Sequence, residues 1–404
     1  MGLIRRLFQK KKKNKDEQNK SNSNVILRSL TDVYENAHID DHVTENNFIQ
    51  GRLGNCTMIS SMASLATNHE IYSKMVTIKQ NDPTNKVTEQ NDPTNRKPTQ
   101  FVFNLFKRGK YRRVVVDDCL SFLFNELYFS RSWNRNFVGP LLEKALMQLH
   151  FDGNYKSAEG VDCIVFLTSF TNNIFESYRS DSHLNLSYRA HEVIKHGIDT
   201  KSLMVVSFEK CFNEYSLITQ HEYTIIDMSK EFVKLYNPYG KTVLVPKYYF
   251  FDCLSYITIC YFENKVFEMP IIKDLMEFTE SWCPYNEERE FLYISFNLDV
   301  EEDNTVLVVN LLGRPGLKMH TSCVRWVENE LICDYKMPIT PNNDYRWQFD
   351  TGVHMINFEA FAFENTEIYE DIVNNLNEEE NKMFLRFASS KHCIMEKYVE
   401  EECL

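Results

Sequence analysis

The sequence predicts an α+β fold, and three observations carry that prediction. Apolar residues recur at helical spacing between about 45 and 150. Strand-like runs dominate after about 200, and beyond about 270 short β-rich runs follow one another closely, the pattern of a β-sandwich. A chain of 404 residues has room for two or three such units.

Residues 1–24 stand apart. Arg5, Arg6, Lys10, Lys11, Lys12, Lys13, Lys15 and Lys20 face only Asp16 and Glu17, although the whole chain carries a net charge of −12. The stretch 14–24 is too polar to pack, so 1–24 is predicted to be a disordered basic arm. Such an arm suits an anionic membrane surface, at about 1 kcal/mol per basic residue near it. Gly2 lacks a full acylation signal, because Arg6 stands where that signal wants Ser or Thr.

Residues 25–150 read as a mostly helical segment. Met58, Ile59, Met62, Leu65 and Ala66 form one buried helical face; Leu141, Leu142, Ala145, Leu146 and Leu149 form another within 137–150. Arg112–Asp118 is the one strand predicted there. The hexapeptide Gln80–Asn85 recurs unchanged at Gln90–Asn95. Two turn-forming copies without apolar residues cannot stack as repeats, so 79–98 is read as a surface-loop insertion.

Residues 151–268 are read as β-rich, with strands at Leu203–Phe208, Tyr223–Asp227, Phe232–Tyr236 and Tyr256–Tyr261. Residues 269–404 are read as the β-sandwich, with Phe291–Leu298, Thr305–Leu312, Cys323–Val327, His354–Phe363 and Met383–Ala388 as strands. The boundary falls near 265–275. Glu301–Asp303 reads as a turn, and the run Glu378–Glu380 as a solvated helix end or loop.

Composition narrows the function. An acidic chain argues against nucleic acid as a partner. No apolar run approaches the roughly 18 residues that cross a bilayer, and the N-terminus has no apolar signal region. The 11 cysteines are scattered and never spaced Cys-x-x-Cys, which suggests reduced thiols rather than a disulfide framework or zinc site. The expected location is the cytoplasm, with peripheral membrane contact through the basic arm.

One segment carries chemistry. In Gln50-Gly51-Arg52-Leu53-Gly54-Asn55-Cys56, two glycines and an asparagine lead into a cysteine that opens the first helix. Asn55 is the expected N-cap, and the helix dipole would favour a Cys56 thiolate. Gln50 offers an amide donor for a developing oxyanion. A hairpin centred near 229–230 brings residues whose numbers sum to about 459 opposite each other, which sets His221 beside Asn237. That pairing is the base and its orienter in Cys-His-Asn peptidases.

These motifs resemble the calpain family of cysteine peptidases. Gln-Gly-x-Leu-Gly-Asn-Cys, Leu142-Glu143-Lys144-Ala145 with Asp152-Gly153-Asn154-Tyr155, His221-Glu222-Tyr223 and Asn237-Pro238-Tyr239-Gly240 stand in family order between about 45 and 263. The resemblance implies a papain-like, two-lobed core with a helical Cys lobe and a β-rich His/Asn lobe, followed by a β-sandwich. It implies Cys56 as nucleophile, His221 as base, Asn237 as orienter and Gln50 as oxyanion donor in limited proteolysis of protein substrates. Gly160 and Gln220 fall at substrate-binding positions. Three departures stand out: Thr57 and Tyr239 replace tryptophans, and Gln220 replaces a glycine, which narrows the expected cleft. Family cores bind calcium, which needs several oxygen ligands. Here Glu143 is the retained carboxylate, Asn47 replaces an aspartate, and 238–251 contain no Asp or Glu, so calcium dependence is not expected. The second reading is an inactive scaffold of the same fold, recruited to membranes.

Overall fold

Helices and strands interleave through the first two-thirds of the chain and strands dominate the rest, with a helix at Thr366–Asn374, so the α+β class holds. The computed structural model describes residues 25–398 apart from 35–37, 41, 78–98, 134, 180–185, 210–216, 264, 267–268, 270–271, 285–290, 315, 328–329, 362–365 and 377. The basic arm and the whole of the 79–98 insertion therefore lie outside the described residues.

The site is organised by an antiparallel sheet. Among the described residues its strands run in the order Lys241–Pro246, Phe232–Asn237, Glu222–Met228, Leu203–Phe208, Leu254–Cys260 and Phe175–Arg179. Alternation of side chains gives it two apolar faces. Leu203 and Val205 join Met58, Ile59 and Met62 of the helix Cys56–Ser64, together with the helices Val138–Phe151 and Cys163–Thr171. Met204 and Val206 point the other way, onto Val193, Ile194 and Phe250. Each such fully buried aliphatic side chain contributes about 1.5–3 kcal/mol. The cysteine helix is thereby pressed against the sheet that carries the histidine.

The region predicted to hold one strand holds a larger β element. Gln100–Lys107 pairs with Lys110–Asp117 as a hairpin, and Cys119–Leu123 follows. Its turn is Arg108-Gly109, with φ of 48° and 75°. Two consecutive residues at positive φ match the twist of a tight hairpin, and glycine makes one of them unstrained. Gly109 is also fixed by space, since a Cβ there would lie 2.1 Å from the Phe384 ring.

Beyond residue 273 two antiparallel sheets share one apolar cluster. The first orders Asp274–Glu280, Met383–Ser389, Thr305–Leu312 and Asn343–Phe349. The second is built on Phe291–Val300, Gly352–Phe361, Met319–Val327 and Glu330–Ile339, with Cys393–Tyr398 also pairing with Phe291–Val300. Leu307, Val309, Leu385 and Phe387 meet Phe296, Leu298, Ile356 and Phe358 between them.

This part joins the rest through polar seams. Arg346 donates from Nη2 and Nε to Glu176 Oε1 at 2.8 and 3.1 Å. Along the outer edge of Phe175–Arg179, Asn310 Oδ1 accepts from Phe175 N, its Nδ2 donates to Phe175 O, and Asp344 Oδ1 accepts from Ser177 N. Glu378–Glu380 is exposed at the start of the short helix Glu379–Asn381, as expected of a solvated helix end, and two of its residues also form a second seam: Lys107 reaches Glu380 and Lys110 reaches Glu379, each at 2.6 Å. The reason lies in the hairpin turn, which delivers three basic residues to one spot.

Candidate active site

The cysteine helix is stitched to the histidine strand. Ser60 Oγ donates to Glu222 O at 2.9 Å, and Thr224 Oγ1 donates to Ser60 O at 2.7 Å. One turn earlier on the same helix stands Cys56, half-buried. Burial pushes the Cys56 thiol up; the Glu222 backbone opposes this, and the Glu222 carboxylate charge adds to it. The thiolate expected from the helix dipole is thus not favoured at rest. Asn55 occupies the N-cap position, but its side chain does not cap the helix. Its Nδ2 donates instead to Glu143 Oε1 at 2.7 Å, because a buried carboxylate competes better for that donor than the helix end does.

His221 Nε2 and Asn237 Oδ1 lie 3.0 Å apart. The predicted neighbours meet, though in a different register. Val233 pairs with Met228, and after a bulge between Lys234 and Leu235, Tyr236 pairs with Thr224. Extending that ladder sets Asn237 against Tyr223, which makes His221 its diagonal neighbour, still on the same face. Asn237 Oδ1 also accepts from the Tyr239 backbone N–H at 3.0 Å. A backbone N–H can only donate, so this atom is the amide oxygen and Nε2 must supply the proton. The imidazole is thereby held with Nδ1 unprotonated and available as a base. Burial lowers the His221 pKa, against a raising contribution from Asn237. Tyr239, at a tryptophan position of the resembled pattern, stacks on His221 at 4.8 Å between centroids and shields it.

Cys56, Gly160 and Gln220 line one cleft of about 630 Å³ together with Gly54, Thr57, Asp162, Glu222 and Tyr256. Gly160 has φ of 71° and open space where a Cβ would stand. Gln220 has φ of 55°, the left-handed region, where a side chain costs about 1–2 kcal/mol. Gln220→Gly is therefore expected to leave the melting temperature unchanged or raise it, and to lower KM for peptides by widening the cleft. Thermal unfolding beside peptide kinetics checks this; a clear loss of stability would show that the glutamine side chain is the anchor of its loop.

Gln50 is tied to the loop after Asn237 by its backbone N–H, which donates to Pro238 O at 2.7 Å. Its side-chain Nε2 donates to Leu53 O at 2.7 Å, so one of two amide hydrogens is committed. Glu143 is buried. Oε2 accepts from Ser130 N at 2.9 Å and Ser130 Oγ at 2.7 Å, while Oε1 takes Asn55. Its oxygens organise the Cys56 loop. Asn47 Oδ1 accepts from Thr44 N at 2.8 Å. Among the described residues no cluster of three or more His, Cys, Asp or Glu side chains forms a metal site. The residues at the Glu143 position do not fit calcium, which would compete with three hydrogen-bond donors there.

Glu222, Asp162 and Tyr256 belong to the cleft, and sequence reasoning passed over them. The signal was a single carboxylate in the otherwise uncharged run His221–Ile226.

Residues 5–248 match the family model described as "Calpain family cysteine protease". Human Calpain-9 is 24% identical over 214 residues, covering 49% of this chain and 29% of that protein. Human Calpain-12 is 28% identical over 216 residues, covering 50% of this chain and 28% of that protein. Calpain clp-4 of Caenorhabditis elegans is 26% identical over 206 residues, covering 47% of this chain and 27% of that protein. These matches span less than a third of each relative's own length. Among solved structures, a clostridial cysteine protease, Cwp84, overlays 84% of this chain and 83% of its own at 10% identity and a TM-score of 0.24, too loose to bear on the fold.

Proposed function

Because the chain belongs to the calpain family of cysteine proteases, we propose that it is a cysteine endopeptidase making limited cuts in protein substrates. The observation that carries this reading is the His221–Asn237 hydrogen bond beside the Cys56 helix, with the imidazole proton held on the Asn237 side. In the proposed reaction His221 Nδ1 takes the Cys56 proton as sulfur attacks the scissile carbonyl. The uncommitted Gln50 amide hydrogen meets the oxyanion. His221 then protonates the leaving amine, and water deacylates the thioester. In this reading residues 25–150 and 151–268 are the two lobes of a papain-like core and 269–404 is a β-sandwich. The protein works in the cytoplasm, and the basic residues of 1–24 support contact with anionic lipid.

Intact mass after treatment with a peptidyl-epoxide, with calcium and with chelator, tests the proposal. One adduct is expected in both conditions and none on Cys56→Ala. Absence of an adduct in either condition would leave an inactive scaffold. An adduct that needs calcium would require ligands other than Glu143.

A further inference from the structure

Glu222 is 5% exposed and lines the cleft beside Cys56. The Tyr256 hydroxyl donates to its Oε1. Its Oε2 is buried and has no hydrogen-bond partner among the described residues. A buried acceptor left open is destabilising unless something else satisfies it. The second carboxylate of the cleft, Asp162, is better provided for. Oδ1 accepts from Ile164 N at 3.0 Å, capping the helix Cys163–Thr171, and Oδ2 lies 4.0 Å from Arg179. Among the described residues Glu222 has no basic partner of its own. Arg179 stays near Asp162, with its guanidinium over the Tyr256 ring at 6.0 Å.

We propose that Glu222 is a specificity-determining residue, and that the cleft takes an arginine or lysine side chain flanking the scissile bond. This rests on the hydrolytic reading above and names its substrate class. A guanidinium matches the unpartnered oxygen in charge and in hydrogen-bonding sense: once a small side-chain shift exposes Oε2, it would donate there while the Tyr256 hydroxyl keeps Oε1. Asp162 in the same wall adds a negative field without competing for the ligand. Burial, reinforced by Asp162, holds the empty Glu222 carboxyl well above the carboxylate range. An arriving cation therefore supplies the countercharge that lets the carboxyl ionise. Neutral side chains gain nothing from that exchange, which is the source of selectivity.

The test uses quenched-fluorescence peptides in which arginine, citrulline or norleucine is walked through the positions flanking the cleaved bond. At one position arginine is expected to exceed both others in kcat/KM by about tenfold or more. Glu222→Gln is expected to bring that ratio close to one. Equal rates for arginine and norleucine overturn the proposal; citrulline matching arginine overturns the cationic part, since a neutral hydrogen bond would then suffice. If the protein cleaves none of the peptides, the hydrolytic reading fails by itself. The same peptides are then titrated onto the Cys56→Ala protein by fluorescence anisotropy. Tighter binding of arginine than of citrulline and norleucine upholds the subsite; equal or undetectable binding overturns it.

Discussion

Cys56→Ala and His221→Ala are each expected to lower kcat/KM by on the order of 10⁴-fold, and the double variant by no more than either single one, since the two side chains act as one unit. The fold should survive both changes. Cys56 is partly exposed, and Asn237 keeps the Tyr239 N–H when the imidazole is gone. Losses that multiply in the double variant would mean that the residues do not act together. The pH profile follows from the same geometry. Burial lifts the Cys56 thiol and lowers the His221 imidazole, so both shifts favour the neutral pair at rest. A base whose pKa lies below its ordinary 6.5 stays unprotonated to lower pH, so the acid limb of kcat/KM should fall below pH 6.5. With substrate absent, iodoacetamide labelling of Cys56 should climb only above the pH range of an ordinary thiol, because burial delays its ionisation. Labelling that is flat from acid to neutral pH would reveal a preformed thiolate–imidazolium pair and refute this account.

Arg346→Met is expected to destabilise the protein by about 3–5 kcal/mol, because it strands a buried carboxylate. Glu176 is 3% exposed and accepts Arg346 on Oε1, while Oε2 takes the hydroxyls of Tyr261 at 2.6 Å and Tyr178 at 3.0 Å. Its neighbour Asp344 is held well above the carboxylate range by burial and by Glu176 itself, so Arg346 is the countercharge for Glu176. Adding Glu176→Gln to Arg346→Met should restore most of the loss, since no charge is then stranded. Urea unfolding of the single and double variants decides it. A double variant as unstable as the single one would place the cost in lost packing.

The part of the site legible in the sequence was what short-range periodicity encodes. The cysteine helix shows its apolar stripe at Met58, Ile59 and Met62, and the hairpin pairs His221 with Asn237 even though a bulge shifts the ladder. What depends on distant partners was not legible. Asn55 looks like a cap until Glu143, far along the chain, claims its amide. Helix-dipole reasoning favours thiolate at Cys56, but burial opposes it, and the strands that this helix packs on, Leu203–Phe208 and Glu222–Met228, lie far along the chain. Gln100–Lys107 escaped notice because its apolar residues do not alternate cleanly, while the Arg108-Gly109 turn that would have revealed the hairpin ends in a lone glycine.

The outer edge of Phe175–Arg179 deserves a second reading for what it prevents. An unpaired strand edge is a template on which another extended chain can assemble. Here the Phe175 N–H and C=O and the Ser177 N–H are already taken by the side chains of Asn310 and Asp344, which mimic a neighbouring strand without being one. Side chains give the edge its hydrogen bonds but offer no further edge beyond, so the ladder stops there. The joint between the two halves of the molecule is thus also a terminator of the histidine sheet on that side.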